Sequence, residues 1–399
     1  MRIRRESVFQ YAFRNPKSEI DMNLGLVEKI ADAVLYEGYI LYPYRPSAVK
    51  NRQRWNFGAL CPEGYSRAQG ETEAWTMQTE CLATGGGATA LDLKVRFLHL
   101  SEREVCVPNA DFGMRISDLK DDEIQASIDD SELQVVPSLE VNGRLFQTWQ
   151  ESVERNVSLS SLNLNEVSDQ PRRLAFSFPE SREVEPLRDE TSGRLVGVIV
   201  RRQQAIEGAI EVRVEEVAAS ASEIDNPQSA IRDPRCFKLN VRILNLTPLE
   251  DAGGRSRDEA LMRSFVSTHT ILSVREGEFV SLLDPPEGYK ETAAGCRNVG
   301  TYPVLVGEQG ERGVMLSSPI ILYDYPQIAP ESAGELFDGT EIDEILTLRI
   351  MTLTDEEKRE MRGVDERARR ILERTEQLPA EQLMKMHGAM RSLKPKKGF

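Results

Sequence analysis

Alternating apolar and polar positions predict that strands dominate the middle of the chain. In residues 91–99 the odd positions carry Leu91, Leu93, Val95, Phe97 and His99, with charged side chains between the first four. A period of two is typical of a half-buried strand. We expect His99 at the end of its buried face. The preceding Gly85, Gly86 and Gly87 predict a loop, because neither a Lys-Ser/Thr pair nor a helix follows them as in a phosphate-binding loop.

Further strands are predicted downstream, and turn signals separate them. Asn142-Gly143 is the dipeptide typical of a two-residue hairpin. Strand-like segments follow at 172–179, 194–202, 209–217 and 236–246. The polar stretches 118–132, 163–171 and 219–234 are expected to be loops. This spacing favours antiparallel packed sheets over an alternation of strands and helices.

Helical periodicity is found near both ends of the chain. An apolar face at the start is formed by Val27, Ile30, Ala31, Val34 and Leu35. Near the end, Thr354 and Glu357 form a capping box that opens a helix over 354–377. Its predicted apolar stripe consists of Met361, Val364, Ala368, Ile371 and Leu372. Pro379 is expected to begin a second helix. This two-helix tail docks either on its own core or on a partner.

The predicted fold class is therefore α+β, predominantly antiparallel β with sandwich-like packed sheets, an N-terminal helix and a C-terminal two-helix tail. We expect residues 1–21 to form a disordered extension, or to precede a true start at Met22. Residues 22–150 are predicted as a helix plus a first β-rich region, and 151–325 as a second β-rich region. Residues 326–399 are predicted as a connector and the helical tail.

Composition narrows the functional classes. The chain has 399 residues, 40% of them hydrophobic and 29% charged, as in ordinary soluble proteins. Its formal net charge of −15 disfavours nucleic acid and anionic membranes as partners. No apolar run reaches the roughly 18 to 20 residues needed to span a bilayer. The basic start is not followed by the apolar stretch of a secretory signal, so we expect a cytoplasmic location.

The cysteines predict no metal site by their spacing. They are Cys61, Cys81, Cys106, Cys236 and Cys296, an odd number without a Cys-x-x-Cys pair. Free, mostly buried thiols are expected. The alternative is a metal site assembled from Cys236, His269 and Cys296. An acidic cluster of Asp338, Glu341, Asp343 and Glu344 has the chemistry to hold a hard cation, but a solvated helix start is favoured. No cofactor is predicted.

The segment 267–286 holds one of three histidines beside several carboxylates. A two-residue turn at Glu276-Gly277 predicts a hairpin whose register sets His269 opposite Asp284. Such a pair can orient a histidine or favour its charged form. Without a nucleophile or metal, the structural interpretation is favoured over the catalytic one.

A basic and aromatic cluster follows the N-terminal helix. We take Tyr42, Tyr44, Arg45, Arg52, Arg54 and Trp55 as candidate partner-binding residues. Tyr, Trp and Arg are enriched where protein interfaces gain most of their binding energy. Ordinary packing within the chain is the alternative interpretation, and the acidic background argues against base stacking.

Residues 22–360 resemble a known protein family. The resemblance is carried by "ADAVLYEGYILYPYRPSAVKNRQRWNFG", "FVSTHTILSVREGEFVSLLDPPE", "NVGTYPVLVG" and "SSPIILYDYPQIAPESAGELFDGTEIDEILTLRIMTLTDEE". These stretches are similar to proteins encoded beside the structural and maturation genes of oxygen-tolerant NiFe hydrogenases in aerobic bacteria. The resemblance implies a role in making or operating the hydrogenase, and it assigns no catalytic or binding residues.

Three functional hypotheses follow. The first is a non-enzymatic accessory or assembly factor for a NiFe hydrogenase that binds a hydrogenase subunit or maturation protein. The second is an enzyme, a hydrolase or a cofactor-modifying activity, that uses His269 and Asp284. The third is a scaffold subunit of a larger complex. We favour the first because of the family resemblance and the Tyr/Arg/Trp-rich cluster at 39–57. The chain also contains no nucleophile elbow, zinc-protease motif or dinucleotide fingerprint.

Overall fold

The computed structural model describes residues 27, 30–32, 56–109, 128–217, 235–327, 347, 350–364 and 366–379. Its strands are β1 Thr76–Pro108, β2 Leu133–Val136, β3 Ser138–Val141, β4 Arg144–Gln147, β5 Trp149–Asn163, β6 Arg172–Phe178, β7 Ser181–Arg188, β8 Leu195–Gln203, β9 Ile206–Val217, β10 Arg235–Asn245, β11 Val266–Val280, β12 Tyr302–Leu305 and β13 Val314–Ser318. Its helices are α1 Glu63–Ala68, α2 Leu164–Asp169, α3 Arg257–Leu261, α4 Lys290–Ala294, α5 Asp355–Val364 and α6 Glu366–Glu376. Within these ranges no helix has the length and hydrophobicity to cross a membrane.

The 33-residue strand β1 organises the molecule. Eleven strands form one sheet in which β12, β13, β11, β1, β10, β9 and β6 follow in that order. Along its length β1 also pairs with β5, β8 and β2, and β7 joins through β8. All these pairings are antiparallel. The predicted α+β, sandwich-like antiparallel fold is confirmed.

Strands from both predicted β-rich regions belong to this sheet. The position between residues 150 and 151 lies inside β5, which pairs with β1 from Ala90 to Arg103. Four predicted strand segments correspond to β6, β8, β9 and β10. The Asn142-Gly143 hairpin is confirmed, because β3 and β4 pair from Val141 and Arg144 outward. Both turn residues have positive φ, 52° and 74°, as a type I′ turn requires.

The predicted apolar face of residues 91–97 forms the centre of the main core. Leu91, Leu93, Val95 and Phe97 pack with side chains of β9, β10 and β11. The Phe97 ring lies 4.6 Å from that of Phe265, centroid to centroid. His99 is fully buried beyond Phe97, as predicted.

The expectation of a half-buried strand holds from Leu91 to Val95, but from Arg96 to Ser101 both faces of β1 are buried. Val27, Ile30 and Ala31 are buried in one cluster with side chains of β11, β12 and β13. Met361, Ala368, Ile371 and Leu372 are buried in another with Leu98, Leu100 and Val266. The helical segments from both ends of the described chain therefore dock on the sheet. Even Arg96, on a predicted polar position, is only 5% exposed.

The loop predicted at 85–87 and the hairpin predicted over 267–286 are both wrong, because the two segments pair with each other as strands across a bulge. Gly85, Gly86 and Gly87 lie inside β1, and β11 continues through Glu276 and Gly277. Between the pairs Gly85–Gly277 and Ala90–Arg275, β1 has four intervening residues and β11 has one. The buried Thr89 hydroxyl donates to the Glu276 carbonyl (2.6 Å) and accepts from the Gly86 amide (2.8 Å). The glycines therefore serve a bulge rather than a turn.

Two further expectations need correction. The predicted loop 163–171 contains helix α2, which begins after an N-cap at Asn163. The predicted helix 354–377 is a helical hairpin, because Glu376 contacts Arg362, 14 positions earlier, at 2.7 Å. A continuous helix would separate them by about 21 Å. The predicted capping box is confirmed, with reciprocal hydrogen bonds between Thr354 and Glu357. The helix predicted from Pro379 lies outside the described residues.

A candidate binding cleft beside the C-terminal helical hairpin

A basic cleft opens between the β3–β4 turn and the α5–α6 hairpin. Its volume is about 550 Å³. Among the described residues, the charged side chains that line it are five cations and two carboxylates: Arg144, Lys358, Arg359, Arg362 and Arg369, with Asp355 and Glu376. These described side chains sum to a formal charge of +3, in a chain of −15. A positive concavity on an acidic protein concentrates anions locally.

Close backbone contact fixes one wall of the cleft against the other. Gly363 lies near the end of α5, and a Cβ atom there would stand 2.6 Å from the carbonyl oxygen of Leu145 in β4. Only glycine allows this approach without displacement. The buried Arg103 of β1 donates from Nη2 to the Gly363 carbonyl at 3.3 Å, and from Nη1 to Glu151 at 3.1 Å. The sheet therefore holds the helical wall at a defined position.

Three of the five cleft cations, at positions 358, 359 and 362, lie on α5. Lys358 and Arg362 are four residues apart and therefore share one face of the helix. Both contact the Glu376 carboxylate of α6, at 3.5 and 2.7 Å. Arg369 donates to the Arg362 carbonyl at 3.4 Å. On the facing wall the Arg144 guanidinium stands 4.8 Å from the Phe146 ring centroid. The two walls together can present several guanidinium groups to one bound anion.

His269 lies away from this cleft and is sealed inside the fold. It is fully buried on β11, opposite Arg96 of β1. Its Nδ1 pairs with the Ser267 carbonyl oxygen at 3.0 Å, and its Nε2 has no hydrogen-bond partner among the described residues. Burial, together with the charges of Arg96 and Lys94, lowers the pKa of His269 to about 3. The imidazole is neutral at physiological pH.

Asp284 is exposed beyond the end of β11, so the structure does not bring it to His269. The cross-strand pair predicted from the Glu276-Gly277 turn is wrong, because β11 continues through these residues opposite a bulge in β1. Arg275 of β11 donates to Asp92 of β1 at 3.1 Å, as expected for two paired strands. His99 is equally sealed, and burial together with the charge of Arg155 lowers its pKa to about 4.

The five cysteines are free, and all except the half-buried Cys296 are buried, as predicted. Burial raises the pKa of Cys106 and of Cys236 to about 11, and it raises the pKa of Cys61, Cys81 and Cys296 as well. Such thiols are poor nucleophiles, because the thiolate is the reactive form.

Of the predicted alternative metal ligands, Cys236 and Cys296 pack in one cluster, whereas His269 lies apart from them. Cys236 lies opposite Thr84 of β1, whereas His269 lies opposite Arg96, twelve residues further along that strand. The described part of the chain holds no group of three His, Cys, Asp or Glu side chains arranged for a metal ion.

Two sets of predicted site residues lie outside the described residues. They are the candidate partner-binding set Tyr42, Tyr44, Arg45, Arg52, Arg54 and Trp55, and the acidic cluster Asp338, Glu341, Asp343 and Glu344. Sequence reasoning missed the basic cleft. Its local signals are a basic residue directly after the Asn142-Gly143 turn and the basic positions 358, 359 and 362 at helical spacing. Neither signal shows that these segments meet.

The fold and cleft define an antiparallel α+β protein with a basic groove beside a helical hairpin. No protein-family model and no curated protein matches the chain. Among solved structures, the secretin InvG of the Salmonella SPI-1 type III secretion injectisome is 13% identical, over 57% of this chain and 70% of that one. Its TM-score is 0.09, so the likeness carries no structural or functional argument.

Proposed function

We propose that this protein is a non-enzymatic, cytoplasmic accessory or assembly factor for a NiFe hydrogenase. It acts by binding a hydrogenase subunit or a maturation protein. The basic cleft beside α5 is the observation that carries the binding role, because it is an open, charged concavity. The choice of partner rests on the sequence resemblance to proteins encoded beside hydrogenase genes.

The state of the reactive side chains also supports a binding role. His99 and His269 are sealed in the core with lowered pKa values, so neither meets a substrate as a general base. The buried cysteines have raised pKa values. The charged groups at the cleft are guanidinium, ammonium and carboxylate, which are suited to recognition of a charged partner.

Copurification from the native host tests this function. A tagged copy expressed at its natural level should enrich an identified hydrogenase subunit or maturation protein. Deletion of the gene should lower hydrogenase activity, and the wild-type copy should restore it. If no hydrogenase component is enriched and deletion leaves activity intact, the proposed function is wrong. A tagged, unrelated acidic protein of similar size controls for charge-driven capture.

A further inference from the structure

We infer that the cleft between the β3–β4 turn and the α5–α6 hairpin binds an extended, acidic polypeptide segment of the partner protein. This inference rests on the proposed function, since it assigns the chemistry of the partner that the cleft accepts.

The first argument comes from a carboxylate already held by the cleft cations. Glu376 lies 2.7 Å from Arg362 and 3.5 Å from Lys358. A guanidinium and an ammonium group from successive turns of α5 thus meet one carboxylate of the same chain. The side chain of Glu376 is an intramolecular example of the ligand group that these cations accept. Among the described residues that line the cleft, five are basic and two are acidic.

The second argument comes from the spacing of the cations. Four residues of helix rise about 6 Å, so Lys358 and Arg362 stand about 6 Å apart along α5. Alternate side chains of an extended peptide are about 6.6 Å apart. Carboxylates at every second position of such a peptide therefore match Lys358 and Arg362 on α5, while Arg144 approaches from the facing wall.

The third argument concerns the length of the ligand and the extent of its negative charge. Asp355 and Glu376 interrupt the positive lining, and the whole chain carries −15. A long polyanion such as nucleic acid would meet repulsion beyond the cleft. A short acidic segment places its charges only where the cations are.

Direct binding of a defined peptide tests the inference on the full chain. The probe is a fluorescein-labelled octapeptide of alternating glutamate and serine, and its control has glutamine for glutamate. Fluorescence anisotropy at low ionic strength should show saturable binding of the glutamate peptide only, weakening as salt is added. Arg359→Glu, an exposed change on the cleft wall, should weaken binding about tenfold or more. Arg67→Glu makes the same charge change on the exposed surface of α1 and should leave the affinity for the peptide unchanged.

The outcomes are distinct. Equal affinity of Arg359→Glu and the wild-type chain, with both shown folded by circular dichroism, would overturn the inference. So would complete displacement of the peptide by inorganic phosphate at low millimolar concentration, which would indicate a small-anion site. If wild-type and Arg359→Glu chains copurify the same hydrogenase component equally well, the inference fails while the proposed function stands. If the wild-type chain enriches none, the proposed function fails whatever the peptide shows.

Discussion

Arg103 and Gly363 are 260 positions apart in sequence, and a 3.3 Å hydrogen bond joins the guanidinium of one to the carbonyl of the other. The donor belongs to the central strand and the acceptor to the helix that lines the cleft. Since Gly363 also touches the Leu145 carbonyl, the same few atoms attach the helical hairpin to the sheet and set the width of the cleft.

Replacing Gly363 with alanine should destabilise the protein by about 1 to 3 kcal/mol, because the new methyl group meets a backbone oxygen. The gain in helix propensity, about 1 kcal/mol, is smaller than this clash. Urea unfolding measures the difference. Gly253→Ala is the matched control, since open space surrounds that position. If Gly363→Ala is as stable as this control, the close approach of α5 to β4 is not real.

Neutralising Asp32 should loosen the N-terminal helical segment. Asp32 lies 2.5 Å from the buried Arg96, whose other carboxylate neighbour, Glu154, is 3.4 Å away. Asp32→Asn removes one of the two carboxylates beside the buried Arg96 guanidinium. We expect the free energy of unfolding to fall by about 1 to 3 kcal/mol. Glu216→Gln breaks an exposed pair with Arg235 and should cost less than about 1 kcal/mol. Equal losses in thermal unfolding would contradict this account of Arg96.

The buried histidines predict a specific pH dependence. The unfolded chain binds a proton at each near pH 6.5, whereas the folded chain does so only near pH 3 at His269 and pH 4 at His99. The unfolded state therefore gains protons first, and the stability contributed by each neutral histidine declines as the pH falls below about 6.5.

His269→Gln removes one of these two groups. The difference between the unfolding free energies at pH 7 and pH 5 should shrink by about 1 to 2 kcal/mol in this variant. This comparison is insensitive to the packing cost of the substitution itself, which affects both pH values. An unchanged pH dependence would show that His269 titrates normally in the folded protein. Under the proposed function, hydrogenase activity in the host should be retained, because His269 is sealed from any ligand.

Thiol labelling tests whether the cysteines are buried in the folded protein. In the native protein an Ellman-type reagent should modify at most the half-buried Cys296, and slowly. In denaturant all five thiols should react. Burial and raised pKa values protect the other four from the reagent. Rapid modification of two or more native thiols would be inconsistent with this core.

Local sequence signals predicted the parts of the molecule that local contacts form. The Asn142-Gly143 turn, the Thr354–Glu357 capping box and the apolar face of 91–97 all depend on residues near in sequence. The Glu276-Gly277 dipeptide is ambiguous, because a positive-φ residue followed by glycine fits a bulged pair of strands as well as a turn. The side chain that decides between them is Thr89, nearly 190 residues away.

The cleft could not be predicted for the same reason. Arg144 and Arg362 belong to elements that the sequence reveals separately, and only the docking of Gly363 on Leu145 brings them together. The burial of Arg96 was missed because alternation predicts which face a residue occupies, and not whether another element covers that face.

The affinity of Glu376→Gln for the acidic peptide tests the central claim most directly. The Glu376 carboxylate forms ion pairs with Lys358 and Arg362. Its replacement by a neutral amide should therefore raise the affinity of the cleft for the glutamate octapeptide by about three- to tenfold. The buried Met361, Ile371 and Leu372 keep the hairpin docked, which circular dichroism can check. Tighter binding, reversed when Arg359→Glu is added, is the predicted result. Unchanged or weaker binding by a folded variant would contradict the assignment of this cleft to acidic polypeptides.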